Sequence, residues 1–157
     1  MPSLLLFAPC ERVAFDQKEN AASLINIFQG FNVTLVEHPL TQPVQAPVDA
    51  YVVAEKALPI RWAIFTLWRK MDDDENRAFV QTCELVSPSG RQSFQARLDF
   101  KMTHSFQRNI MNVMRFPVDE AGQYTIRLLL KVNQAEPELK ATYPVFVTHI
   151  TDEASHT

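Results

Sequence analysis

Apolar and polar residues alternate two by two along most of this chain, and almost no stretch repeats at helical spacing. The clearest run is Tyr124 to Val132: Tyr124, Ile126, Leu128, Leu130 and Val132 fall on one face, with Thr125, Arg127 and Lys131 on the other. Such alternation is the mark of a strand with one buried and one wetter face. Ser93 to Met102 repeats it, with Phe94, Ala96, Leu98, Phe100 and Met102 against Ser93, Gln95, Arg97, Asp99 and Lys101. Ser87-Pro88-Ser89-Gly90 ahead of it is a tight-turn signature, so Ala78 to Val86 and Ser93 to Met102 are read as a hairpin.

Further strands are expected at Leu4 to Ala8, continuing through Val13 to Phe15 after a kink at Pro9, and at Tyr143 to Ile150. Ser23 to Val36 reads as one long strand bent near Gly30, because a lone glycine in a strand pattern usually marks a bend or bulge. Val48 to Leu58 alternates. Arg61 to Arg69 and Ser105 to Phe116 are apolar on both faces, the pattern of central, doubly covered strands. In the latter, Met111 and Met114 leave open that one face meets a partner chain, since methionine adapts to such surfaces. Pro39, Pro43 and Pro47 withhold ladder amides, so Glu37 to Val48 is an extended surface connection crossing between sheets. Any helix should be a short turn, near Asn133 to Leu139 or in a long loop.

Eight or nine strands with one apolar face each cannot form a single sheet without leaving that face wet. Two sheets packed face to face resolve this, and the fold expected is an all-β, two-sheet antiparallel sandwich. Asp119, Gly122 and Tyr124, just before the firmest strand, have the spacing of a tyrosine corner, which makes the sandwich immunoglobulin-like. Residues 1–150 form one domain in this reading and 151–157 a polar tail.

Composition narrows the function classes. A chain of 157 residues that is 46% hydrophobic and 21% charged is of ordinary globular type. Its net charge is -3 and its Lys and Arg residues are scattered singly, which argues against a nucleic-acid surface. Leu4 to Cys10 resembles a lipoprotein signal, but it lacks a basic leader, its apolar run is only about five residues against the required 7–15, and Pro9 precedes the cysteine. A first strand is the better reading, and a cytoplasmic location without membrane association is expected. Cys10 and Cys83 are too few for a disulfide framework; reduced, buried thiols are expected, a single bridge being the alternative.

Candidate chemistry is sparse. The run Asp72, Asp73, Asp74 and Glu75 could supply calcium ligands at a loop tip, although a solvated tip explains it without a metal. Trp62 and Trp68 share one strand face, roughly 20 Å apart, and would form a platform for sugar rings if exposed; apolar neighbours make them core residues instead. The four histidines have no metal-ligand spacing, no Gly-x-Ser-x-Gly elbow exists, and three isolated glycines exclude a phosphate loop. No cofactor and no catalytic residue is expected.

Cys10-Glu11-Arg12-Val13 with Asp16, then Ser23-Leu24-Ile25-Asn26-Ile27-Phe28, then Phe116-Pro117 and Gly122-Gln123-Tyr124, resembles an uncharacterised family of small bacterial proteins. That family shares a Cys-Asp/Glu strand, a Ser-Leu-Ile-x-Ile-Phe strand and a Phe-Pro…Gly-x-Tyr corner. The likeness spans residues 4–150, apart from a divergent segment at 37–71. It implies a bacterial β-sandwich and carries no activity or site. The function expected is therefore a non-catalytic interaction or structural module, binding a protein partner or itself through sheet edges. Small-ligand or carbohydrate binding through a Trp-lined face or a loop cleft is the alternative.

Overall fold

The computed structural model describes residues 1–35, the backbone of 50–53, and 56–150; the proline-rich connection and the C-terminal tail lie outside the described residues. Ten strands are present among them: β1 (Ser3–Asp16), β2 (Ala21–Ile27), β3 (Gly30–Leu35), β4 (Ala50–Val53), β5 (Ala57–Arg69), β6 (Ala78–Val86), β7 (Gln92–Lys101), β8 (Phe106–Pro117), β9 (Gly122–Val132) and β10 (Glu138–His149). They form a four-stranded sheet, β2-β1-β5-β8, and a six-stranded sheet, β4-β3-β10-β9-β6-β7. Among the described residues helix is limited to one 3-10 turn at Asp72–Asp74, in the charged loop rather than near Asn133.

The wiring is immunoglobulin-like. β5 lies beside β8 in one sheet, as strands B and E do, and β10-β9-β6-β7 reproduces the G-F-C-C′ order of the other. Most ladders are antiparallel, but β3 runs parallel to both β10 and β4. The predicted hairpin is β6–β7, with Cys83 opposite Ala96.

The single strand expected over Ser23 to Val36 is in fact two, in different sheets: β2 pairs with β1, and β3 with β10. The glycine signal marks a change of sheet. Gly30 packs against β10 so closely that a Cβ there would drive into the carbonyl oxygen of Phe146. The Phe146 amide bonds to the Gln29 carbonyl at 2.8 Å and secures the crossing.

Strand β1 is one strand with two partners. It pairs with β5 as far as Cys10↔Ala63 and with β2 from Cys10↔Ile27 onward. The turn of the β1–β2 hairpin then meets β8: Arg108 donates to the Asn20 side chain at 3.0 Å, and its guanidinium sits 5.9 Å from the Phe15 ring. Since β5 lies between β1 and β8, the hairpin crosses the outer face of β5, where Ala63 and Phe65 are both 2% exposed. Thus β5 is the doubly covered central strand that its sequence predicts.

The inward rows of both sheets make one core. At one end Trp62 meets Phe28, Phe94 and Phe116 with ring centroids 5.6, 6.1 and 5.5 Å apart, and Phe116 meets Tyr124 at 5.5 Å. Each such pair contributes about 0.5–1.5 kcal/mol beyond simple burial.

Candidate functional site

Trp62 and Trp68 point into the sandwich. The Trp62 indole donates to the Arg115 carbonyl at 2.9 Å, and the Trp68 indole to Gln81 Oε1 at 2.9 Å. Both are buried, which corrects the reading of an exposed platform: their row is the inward row of β5. Around Trp68 lies a polar node that bridges the sheets. Gln81 Oε1, on β6, also accepts from Thr66 Oγ1 at 2.8 Å and from Asn109 Nδ2 at 3.0 Å, both on the opposite sheet. All three residues are buried. Their signal in the sequence is polar side chains at inward positions: Thr66 between Ile64 and Trp68, and Gln81 between Phe79 and Cys83.

The acidic run is folded onto itself. Asp74 is fully buried, with Oδ2 accepting the Met71 amide at 2.8 Å. Its Oδ1 lacks a well-aligned hydrogen bond but lies 3.1 Å from the Met1 ammonium, so charge rather than directionality holds it. Asp73 is 3.3 Å from the same ammonium and 3.4 Å from Arg77. Its carboxyl is held below the usual range, first by the hydrogen bond from that ammonium. Among the described residues no three His, Cys, Asp or Glu side chains converge as metal ligands.

Asp119, Gly122 and Tyr124 do form a corner. The Tyr124 hydroxyl accepts the Glu120 amide at 3.2 Å and donates to Asp119 Oδ1 at 3.2 Å. Burial pushes this hydroxyl up to about 12. Gly122, at φ 127°, takes a backbone conformation that other residues rarely adopt, and a Cβ there would press on Pro88 at 3.2 Å. Burial disfavours the Asp119 carboxylate, yet the Arg91 guanidinium at 2.6 Å outweighs this and leaves its pKa lowered. Glu120 accepts from the Ser87 and Ser89 hydroxyls at 3.0 and 2.9 Å. The corner therefore clamps the β9 start to the β6–β7 turn.

The thiols of Cys10 and Cys83 are free and buried, and burial raises both pKa values, that of Cys83 to about 12. At neutral pH they are protonated and poor nucleophiles. His149 Nε2 is engaged by the Val118 carbonyl at 2.7 Å. No helix in the described residues is long and apolar enough to cross a membrane.

The chain matches no protein-family model and no curated protein. A site must therefore be argued from the surface itself, and the sheet edges differ sharply. On β7 the outward row is Gln95, Arg97 and Asp99, with Arg97 and Asp99 paired at 3.1 Å, a charged and self-protected edge.

Strand β8 is different, and it is not the central strand that its sequence suggests. It pairs with β5 from Ala57↔Pro117 to Arg69↔Phe106, and among the described residues no strand lies on its other side. Its outward row includes Phe106, 55% exposed, and Met114, 63% exposed, with no proline before Pro117.

Beside this edge β7 overhangs. The inward row of β6 (Phe79, Gln81, Cys83, Leu85) is fully buried. The next row, Phe94, Ala96, Leu98 and Phe100 on β7, is only partly buried, although it belongs to the same core. Among the described residues the four-stranded sheet ends at β8 and places no further strand over this row.

Proposed function

We propose that this protein is a non-catalytic interaction module that receives an extended segment of a protein partner along β8. The observation that carries this reading is the half-buried apolar row of β7 lying beside an edge that no described strand pairs and whose only proline is its last residue, Pro117. One strand added to β8 would extend the four-stranded sheet by a further ladder and bury Phe94, Leu98 and Phe100 from above. Main-chain bonds would supply affinity, and alternate side chains over β7 would supply specificity. A rigid dimer joining two β8 edges fits less well, because each copy's overhanging β7 would occupy the space the other needs. The partner segment is therefore a strand without its own second layer, from another protein or a loose segment of another copy.

Resemblance to small bacterial sandwich proteins fits this role, and two free thiols fit a reducing compartment such as the cytoplasm. The test is a photo-crosslinking side chain at Leu98, with Thr125 on the outer face of β9 as control. A discrete adduct from position 98, absent from 125, supports the proposal; equal or absent labelling at both ends it. Light scattering across concentrations then separates self-association from a foreign partner.

Small-ligand binding is favoured by one observation. Glu11, Asn26 and Arg61 rim a cleft of about 480 Å³ floored by Phe28, Phe31 and Trp62, a volume suited to small molecules. Quenching of Trp62 by a panel of sugars, lost in Arg61→Ala, would support it; unchanged emission throughout would remove it.

A further inference from the structure

Basic side chains and a histidine that are scattered along the sequence line one groove. Lys70 follows β5, His104 lies in the β7–β8 connection, and Arg108 is on β8; together they line a groove of about 1030 Å³. The connection is tied down where Lys70 donates its backbone amide to the Ser105 carbonyl at 2.8 Å. Among the described residues no carboxylate lines the groove, in a chain whose net charge is -3. Some basic side chains elsewhere do have acidic partners: Arg77 with Asp73, Arg91 with Asp119, Arg127 with Glu84, Lys140 with Glu138. Among the described residues no carboxylate pairs with Lys70 or Arg108.

Two of these side chains are also pre-oriented. Arg108 donates to both the side chain and the carbonyl of Asn20, which holds its fork in place while leaving further N–H groups unused. Thr103 Oγ1 lies 2.9 Å from His104 Nδ1, fixing the ring and leaving Nε2 for a ligand. The exposed ring of Phe106 lines the same groove. Lys70 and Arg108 carry positive charge with no described carboxylate paired to them, and the His104 ring adds a nitrogen for hydrogen bonding, so an anion with several acceptor oxygens suits the groove. Three such groups in one bounded groove do not make the extended cationic track that nucleic acid requires.

We infer that this groove binds a phosphate monoester of a small aromatic or apolar molecule. Lys70, His104 and Arg108 hold the phosphate, and Phe106 packs on the organic part. The inference does not rest on strand addition: Lys70 and His104 lie off β8, and Phe106 and Arg108, although on β8, act through side chains of its outward row rather than through its backbone.

Calorimetric titration with phenyl phosphate, inorganic phosphate and phenol tests it. Phenyl phosphate should bind at least about threefold more tightly than inorganic phosphate through the ring contact, and phenol should not bind measurably. Lys70→Ala with His104→Ala should weaken phenyl phosphate roughly tenfold or more, while Arg97→Ala leaves it unchanged. Circular dichroism and thermal melts verify that each variant is folded. Absence of saturable binding at millimolar phenyl phosphate, or equal affinity in the double variant, overturns the assignment.

Discussion

Replacing Gln81 by leucine tests whether the buried polar node holds the sheets together through hydrogen bonds or merely fills space. Leucine keeps most of the volume and removes the amide. Two donors then lose their acceptor inside the core: the Thr66 hydroxyl and the Asn109 amide, now 2.8 and 3.0 Å from Gln81 Oε1. The Trp68 indole keeps Thr66 Oγ1, at 3.1 Å. Each stranded buried donor costs about 1–3 kcal/mol. Against a total of roughly 2–6 kcal/mol, the apolar side chain returns about 1–2 kcal/mol, so the variant should be less stable by about 3 kcal/mol. For a domain of this size that is a fall in Tm of roughly 6–12 °C.

Urea unfolding followed by tryptophan fluorescence measures it, with an unchanged m-value showing that the exposed surface is the same. Asn109→Leu completes the comparison. In the Gln81→Leu background it removes a donor already stranded, so the double variant should be more stable than the sum of the singles predicts by at least about 1 kcal/mol. A Gln81→Leu variant within about 0.5 kcal/mol of the parent, or strict additivity, would refute the reasoning.

Three other outcomes follow from the same structure. Gly30→Ala forces a Cβ into the Phe146 carbonyl and should cost about 3 kcal/mol or more, with hydrogen exchange accelerated first in β3 and β10. Tyr124→Phe should cost about 1–2 kcal/mol. Because burial raises the Tyr124 hydroxyl to about 12 from the ordinary 10, its stabilising effect is whole below pH 10 and fades as pH rises through 12. Denaturant titrations between those pH values should show a downward slope that Tyr124→Phe flattens. Finally, Cys83 should resist a thiol reagent at neutral pH in the native protein and react at once in urea, since burial lifts its thiol to about 12; rapid native reaction would mean that the core opens locally.

Period-two patterning carries the parity of each strand faithfully. Tyr124, Ile126, Leu128 and Leu130 are all inward and buried, and the Asp119–Gly122–Tyr124 spacing became a hydrogen-bonded corner. Parity says nothing of which neighbour a strand takes. Ser23 to Val36 alternates acceptably throughout, so the change of sheet at Gly30 is visible only once β10 is seen to press on it. The groove cations were illegible for a related reason: sequence separation hid Lys70 from Arg108, which the chain reversal through β6 and β7 brings together.

The misjudged strand is the instructive one. Apolar residues on both faces predict a central strand because burial on both sides is the usual cause. In β5 that cause is present: the core lies on one face and the β1–β2 hairpin on the other. In β8 it is present on one side only. Asn109, Met111 and Val113 face the core, whereas Phe106 and Met114 face solvent and no described strand pairs with the outer edge. β7 repeats the mismatch, since Phe94, Leu98 and Phe100 have a core pattern but only partial burial. Partial burial alone does not set these strands apart, since Tyr143 and Ala141 on β10 share it and Ile27, Leu139 and Phe146 are exposed elsewhere. What sets β7 and β8 apart is position: the partly covered row and the exposed side chains lie on opposite sheets where, among the described residues, the four-stranded sheet ends. An added strand at that place would cover both, which is why the crosslinking test is placed at Leu98.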